Sequence, residues 1–175
     1  IVTQRVIRAA RLAGIHALVA TSSGGAVTSP YVPERLQTNL PSDFRVPEDW
    51  SFFSHYSKTK HEAEMLVLRS NDDDFRTIAL RLPGIYGAGD TLMVDAISSG
   101  VMTFMPAPGS GPRDRRIVTD FCYVHNAAHA HVLAISALLE GAAGVEGRTF
   151  NVTNGDSDDI FAMWNSFISQ LARAR

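Results

Sequence analysis

Apolar residues recur at three- and four-residue steps where the chain opens: Val2, Val6, Ala9, Ala10 and Ala13, followed by Gly14. That spacing predicts a helix stopped by the glycine. From His16 to Thr21 (HALVAT) the pattern becomes a short, mostly apolar run, as in a strand buried on both faces. Ser22, Ser23, Gly24 and Gly25 break it. Residues 28 to 50 carry four prolines among scattered charges and read as a long surface excursion. A second helix is expected from about Ser51 to Arg69. A second buried strand follows from Arg76 to Leu82 (RTIALRL), ended by Pro83 and Gly84.

The alternation continues. Thr91 to Ser99 reads as helix, Pro106 to Pro112 (PAPGSGP) as a flexible break, Ile117 to Val124 as strand and Ala127 to Leu139 as helix. Arg148 to Thr153 is a last strand. A final helix is expected from Asp158 or Asp159 to about Arg173, its aspartates suited to the positive end of the helix dipole. Short apolar strands alternating with helices imply parallel βαβ units under right-handed crossovers. The expected class is α/β, a partial Rossmann-like, doubly wound parallel sheet.

Composition narrows the function. Of 175 residues, 45% are hydrophobic and 19% charged, enough to build a core. Sixteen basic against eighteen acidic residues leave a net charge of -2, which argues against a nucleic-acid groove or a polybasic membrane anchor. A single cysteine, Cys122, excludes an internal disulfide framework and a multi-cysteine zinc site, and fits a reducing compartment. No run approaches the roughly 18 apolar residues of a bilayer span, and no signal-peptide pattern opens the chain. The first residue is Ile1, inside a predicted helix, so the sequence reads as part of a larger protein.

Chemistry concentrates in His55-Tyr56-Ser57-Lys58-Thr59-Lys60. Tyr56 and Lys60 stand four apart on a predicted helix and share one face. A phenol serving as a proton shuttle needs help, because the reference tyrosine pKa is about 10. A nearby ammonium favours the phenolate, and the same lysine can donate to a ribose. Spacing alone fits a solvated surface lysine equally well. Position shifts the balance. Ser22 and Ser23 end one strand, Pro83-Gly84-Ile85-Tyr86-Gly87 ends another, and open α/β sheets bind ligands at the carboxyl ends of their strands. Two serines before two glycines also suit a plain turn.

Taken together, these residues resemble the extended short-chain dehydrogenases/reductases, and most closely their 3β-hydroxysteroid dehydrogenase branch, which includes sterol-4α-carboxylate 3-dehydrogenases. Thr21-Ser22-Ser23 matches the family's Thr-Ser-Ser after a strand. Tyr56, Lys60, Ala63 and Glu64 match its Tyr-x-x-x-Lys followed by Ala-Glu. Arg81 to Gly87, then Gly89 and Asp90, match its next strand end. Asp120, Phe121, Tyr123, Val124, Asn126, Ala128, His129, Ala130 and His131 match a branch signature, and Arg148 to Asn154 a later strand. The resemblance spans nearly the whole chain.

It implies Tyr56 as general acid/base, Lys60 as its electrostatic partner and ribose ligand, and Ser23 orienting the substrate oxygen, with Ser22 as fallback. Thr21, Ser22, Tyr56, Lys60 and the run Pro83, Gly84, Ile85 and Tyr86 would contact NAD or NADP. The reaction would be hydride transfer between nicotinamide C4 and a secondary alcohol or ketone of a steroid- or sterol-like substrate. A single incomplete dinucleotide-binding domain over residues 1–175 is implied, its substrate-facing portions at about 88–116 and 154–175. So are a homodimer through the Tyr56 helix and a place in the cytoplasm or on the cytoplasmic face of the endoplasmic reticulum. Three departures stand out. Proline comes one place late in Arg81-Leu82-Pro83, His125 replaces a frequent aspartate, and the glycine-rich pyrophosphate turn is missing. Gly84-x-x-Gly87-x-Gly89 has the wrong order to replace that turn. A nucleotide-sugar epimerase or dehydratase, a dihydroflavonol-type reductase and a catalytically dead fragment remain open alternatives.

Other features have plainer readings. His125, His129 and His131 do not share one helix face and lack an acidic third ligand, so they are expected to be core or surface histidines rather than metal ligands. Phe161, Met163, Trp164, Phe167, Ile168 and Leu171 suit an amphipathic helix packed on its neighbours. Met93, Met102, Phe104 and Met105 suit either an adaptable apolar pocket or ordinary packing. Asn151-Val152-Thr153 is a formal sequon on a strand expected to be buried.

Overall fold

A computed structural model of the chain describes residues 2–29, 40–91, 118–155 and 157–159. The elements are α1 (Val2–Leu12), β1 (Ala17–Ser23), a 3-10 turn (Gly24–Val27), α2 (His55–Arg69), β2 (Arg76–Leu82), β3 (Gly84–Tyr86), β4 (Val118–Tyr123), α3 (Val124–Glu140), β5 (Arg148–Asn151) and β6 (Ser157–Asp159).

β2 is the centre. Six of its seven residues are buried, and it pairs in parallel with β1 on one side and β5 on the other. Because side chains alternate along a strand, β2 serves two helices at once. Thr77 donates to the Val67 carbonyl of α2 and Arg81 reaches Glu64 of α2, while Ile78 and Leu80 pack with Leu138, Ala130 and Ala134 of α3. Helices therefore cover both faces, as the alternating pattern predicts. Burying Ile78 and Leu80 stabilises by about 1.5–3 kcal/mol each. A second small sheet, β3-β4-β6, continues from the end of β2.

Four expectations change. β1 is half-buried along Ala17–Ala20 rather than buried on both faces, because it ends the β1-β2-β5 order and pairs on one side only among the described residues. α2 starts at His55, not near Ser51, because the Ser54 hydroxyl caps it by accepting from the Ser57 N–H. α3 starts three residues earlier than the pattern suggests, at Val124, and ends at Gly141, whose φ of 71° provides the left-handed cap. Finally, Asp158 and Asp159 lie in β6, where their backbone pairs antiparallel with Thr119 and Val118, so they do not open a helix.

Asn151, expected within a buried strand, is exposed, with its amide donating to the Leu40 carbonyl. The expected helix after Thr91, the break at 106–112, the methionine-rich stretch and most of the final helix lie outside the described residues, as does most of 88–116 and 154–175.

Candidate active site

The site forms where β1 ends. Strand alternation sends Ser22 and Arg81, which are register partners, toward α2, and sends Thr21 and its partner Leu80 toward α3. On α2, Tyr56, Lys60 and Glu64 follow at i, i+4 and i+8 and form one stripe facing the end of β1.

Glu64 anchors that stripe. Its carboxylate receives Arg81 Nη2 at 2.6 Å and Arg81 Nε at 3.0 Å, and the Ser22 hydroxyl donates to Oε2 at 2.6 Å. The carboxylate is fully buried and the guanidinium nearly so. Arg81 spends its remaining reach on the Ser42 and Phe44 carbonyls, which ties the end of the proline-rich excursion to the sheet. Thr149 and Asn151 add hydrogen bonds to Ser42. Every charge in this dry pocket has a partner, as burial demands.

One turn earlier, Lys60 Nζ donates to the Thr21 carbonyl at 3.2 Å and lies 6.0 Å from the centroid of the Tyr56 ring. An ammonium has three protons, so two remain for other acceptors. Tyr56 is 57% exposed, and its hydroxyl bonds none of the described residues. Ser23 Oγ accepts from the Gly25 N–H, which leaves the hydroxyl proton to offer. Gly25 separates Ser23 from Ser57: a Cβ there would sit 3.4 Å from Ser23 Oγ and 3.5 Å from Ser57 Oγ. The Ser23 hydroxyl thus flanks the first turn of α2 at Ser57.

On the α3 side, the Thr21 hydroxyl and His131 Nε2 are 2.8 Å apart, and His131 Nδ1 lies 2.7 Å from the Ala127 carbonyl. The exposed edge Gly84, Ile85 and Tyr86 forms a second wall, with Pro83 half-buried at its start. The Tyr86 ring meets Tyr123, and Tyr123 meets His125, in tilted contacts at centroid distances of 5.6 and 5.0 Å. Asn154 organises this wall. Its amide donates to the Tyr86 hydroxyl at 3.0 Å and accepts from the Tyr123 N–H and Asn126, both at 2.9 Å. Gly87 lets the wall close on α3, since a Cβ there would stand 2.4 Å from Val124.

The structure thus brings Thr21, Tyr56 and Lys60 together, with Ser23 across Gly25 from Ser57. It turns the Ser22 hydroxyl away, into the buried carboxylate. The Ser22 hydroxyl is thereby taken up by the scaffold. Glu64, Arg81, His131 and Asn154 were motif letters without roles in the sequence. An arginine inside the apolar run RTIALRL, with a glutamate continuing the Tyr56–Lys60 stripe, was a legible sign of a buried pair. Burial lowers the pKa of His61, on the same helix, against the opposing pull of Glu64. It raises that of Cys122.

The model of the 3-beta hydroxysteroid dehydrogenase/isomerase family matches residues 2–173. The chain belongs to that family. It is 35% identical over 165 residues to the decarboxylating sterol-4-alpha-carboxylate 3-dehydrogenase of Saccharomyces cerevisiae, covering 92% of this chain and 45% of that protein. It is 32% identical over 174 residues to the 2-alkyl-3-oxoalkanoate reductase of Stenotrophomonas maltophilia, covering 99% and 50%. The chain spans about half the length of the curated relatives it matches. Among solved structures, dTDP-glucose 4,6-dehydratase from Bacillus anthracis, in complex with NAD, superposes with a TM-score of 0.61 at 20% identity over 97% of this chain and 51% of that one. That likeness confirms the Rossmann-like fold. No helix among the described residues is long and apolar enough to cross a membrane.

Proposed function

We propose that this family member is an NAD(P)-dependent oxidoreductase acting on a secondary alcohol or ketone, with Tyr56 as general acid/base. The observation that carries the reading is the Lys60 ammonium held on the Thr21 carbonyl at the carboxyl end of β1, one helical turn from an exposed phenol. When bound, the nicotinamide supplies the hydride chemistry that no side chain can. The residues fit its nicotinamide-ribose half. Lys60 has two N–H donors left for a ribose, and Gly84, Ile85 and Tyr86 offer an open edge for the ring. The glycine-rich turn for the pyrophosphate is not in this sequence.

In the oxidative direction Tyr56, as phenolate, takes the hydroxyl proton of the substrate. Lys60 stabilises that phenolate, and Ser23 donates to the substrate oxygen. Residues 1–175 would form one incomplete dinucleotide-binding domain, with the substrate side built from about 88–116 and 154–175.

The names of two relatives sharpen the substrate class. A sterol-4-alpha-carboxylate oxidised at position 3 and a 2-alkyl-3-oxoalkanoate both carry a carboxylate on the carbon next to the reacting one. A 3-hydroxy or 3-oxo carboxylate with an apolar body is therefore the substrate class favoured here. The test is turnover by the natural full-length polypeptide on sterol-4-carboxylates, 2-alkyl-3-hydroxyalkanoates, simple 3β-hydroxysteroids and UDP-sugars. Tyr56→Phe is expected to lower kcat about 10²–10⁴-fold on the carboxylates. Activity on UDP-sugars alone, or an unimpaired Tyr56→Phe variant, refutes the reading.

A further inference from the structure

Lys60 donates to one particular peptide group, between Thr21 and Ser22, and both residues of that peptide are tied down by their side chains. On the α2 face the Ser22 hydroxyl donates to Glu64, itself fixed by Arg81. On the α3 face the Thr21 hydroxyl meets His131. A carbonyl cannot donate, so the contact between His131 Nδ1 and the Ala127 oxygen requires the proton on Nδ1. In the neutral ring Nε2 is then an acceptor, and the Thr21 hydroxyl donates to it.

We propose that His131 and Glu64 are positioning residues that clamp the Thr21–Ser22 peptide from opposite faces of the sheet, so that its carbonyl fixes the direction of the Lys60 ammonium. One N–H of Lys60 is spent on that carbonyl, which constrains the directions left to the other two, one turn from the Tyr56 ring. The β1–β2 pairing holds this peptide in the strand, and the two side-chain contacts restrict the tilt that remains to its carbonyl. The inference rests on the catalytic reading above and adds two residues that touch neither substrate nor cofactor.

The test uses the natural full-length polypeptide, four variants at Thr21 and His131, and Lys60→Met. Thr21→Val removes the hydroxyl at constant shape, His131→Phe removes its partner, the double variant removes both, and Thr21→Ser restores the donor. Each single variant is expected to lower kcat about tenfold while the substrate KM stays within about twofold and the cofactor KM rises, because the ammonium loses its direction toward both phenol and ribose. The double variant should be no slower than the slower single one, since the two act as one unit. Thr21→Ser should recover the parent kcat.

Nitrogen NMR of His131 provides a readout independent of turnover: Nδ1 protonated, Nε2 bare, and the Nε2 signal displaced in Thr21→Val. A proton on Nε2 in the parent, an unmoved signal, additive losses or losses confined to KM would each overturn the clamp. Unchanged kcat in Thr21→Val and His131→Phe while Lys60→Met abolishes turnover overturns the clamp alone. Full turnover by Lys60→Met overturns the catalytic reading with it.

Discussion

Between α2 and the β1–β2 ladder, Glu64 and Arg81 meet with side chains 0% and 4% exposed, whereas the hub of the neighbouring wall, Asn154, stands open to water. The first network is ionic and the second is built from amides, a phenol and backbone groups. The difference follows from solvent. A dry pocket needs strong, complete pairing to hold charges at all, and rewards it with a fixed helix position. A wet rim gains little from charge pairs, which water screens, so neutral hydrogen bonds suffice to orient rings whose faces stay available. The buried network is thus costly to disturb, and the exposed rim is cheap to vary.

Breaking the dry network should have the largest effect. Arg81→Met leaves the Glu64 carboxylate buried without a cation and should destabilise the fold by about 3–5 kcal/mol in urea titration. Adding Glu64→Leu should recover most of that loss, because an apolar pair no longer needs compensation. Ser22→Ala removes one hydrogen bond to a charged acceptor and should cost about 1.5–3 kcal/mol.

His61 sharpens the contrast through pH. Burial lowers its pKa from 6.5, so the folded state favours the neutral ring. Its contribution is complete above that value and is lost as pH falls from about 6.5 through the folded pKa, since the unfolded chain binds the proton first. The melting temperature should therefore fall between about pH 7 and pH 5, and His61→Phe should flatten part of that slope. The smallest effect is expected on the wet rim. Asn154→Ala should cost no more than about 1 kcal/mol in urea titration, because water replaces its partners. A loss as large as that of Arg81→Met would mean that the two networks do not differ in kind.

Much of this was legible in the chain. The run RTIALRL was readable as a strand buried on both faces because a centre strand needs apolar side chains in both directions, and β2 spans the expected residues. Tyr56 and Lys60 were readable as neighbours because helical spacing alone places them on one face. HALVAT carries the same apolar signal as β2, yet β1 is only half-buried, since burial depends on what else the sheet brings to that edge. Asp158 and Asp159 suit a helix start locally, but pairing with β4 decides otherwise.

Local sequence thus determined the alternation of strand and helix, the Tyr56–Lys60–Glu64 stripe and the family motifs, all of which depend on residues a few positions apart. Only the tertiary structure decided that Ser22 turns into a buried carboxylate, that Arg81 latches the excursion at Ser42 and Phe44, and that His131 reaches Thr21. Those contacts join residues 37 to 110 positions apart. Each is specified by which strand face meets which helix, a choice that packing makes and that spacing along the chain does not encode.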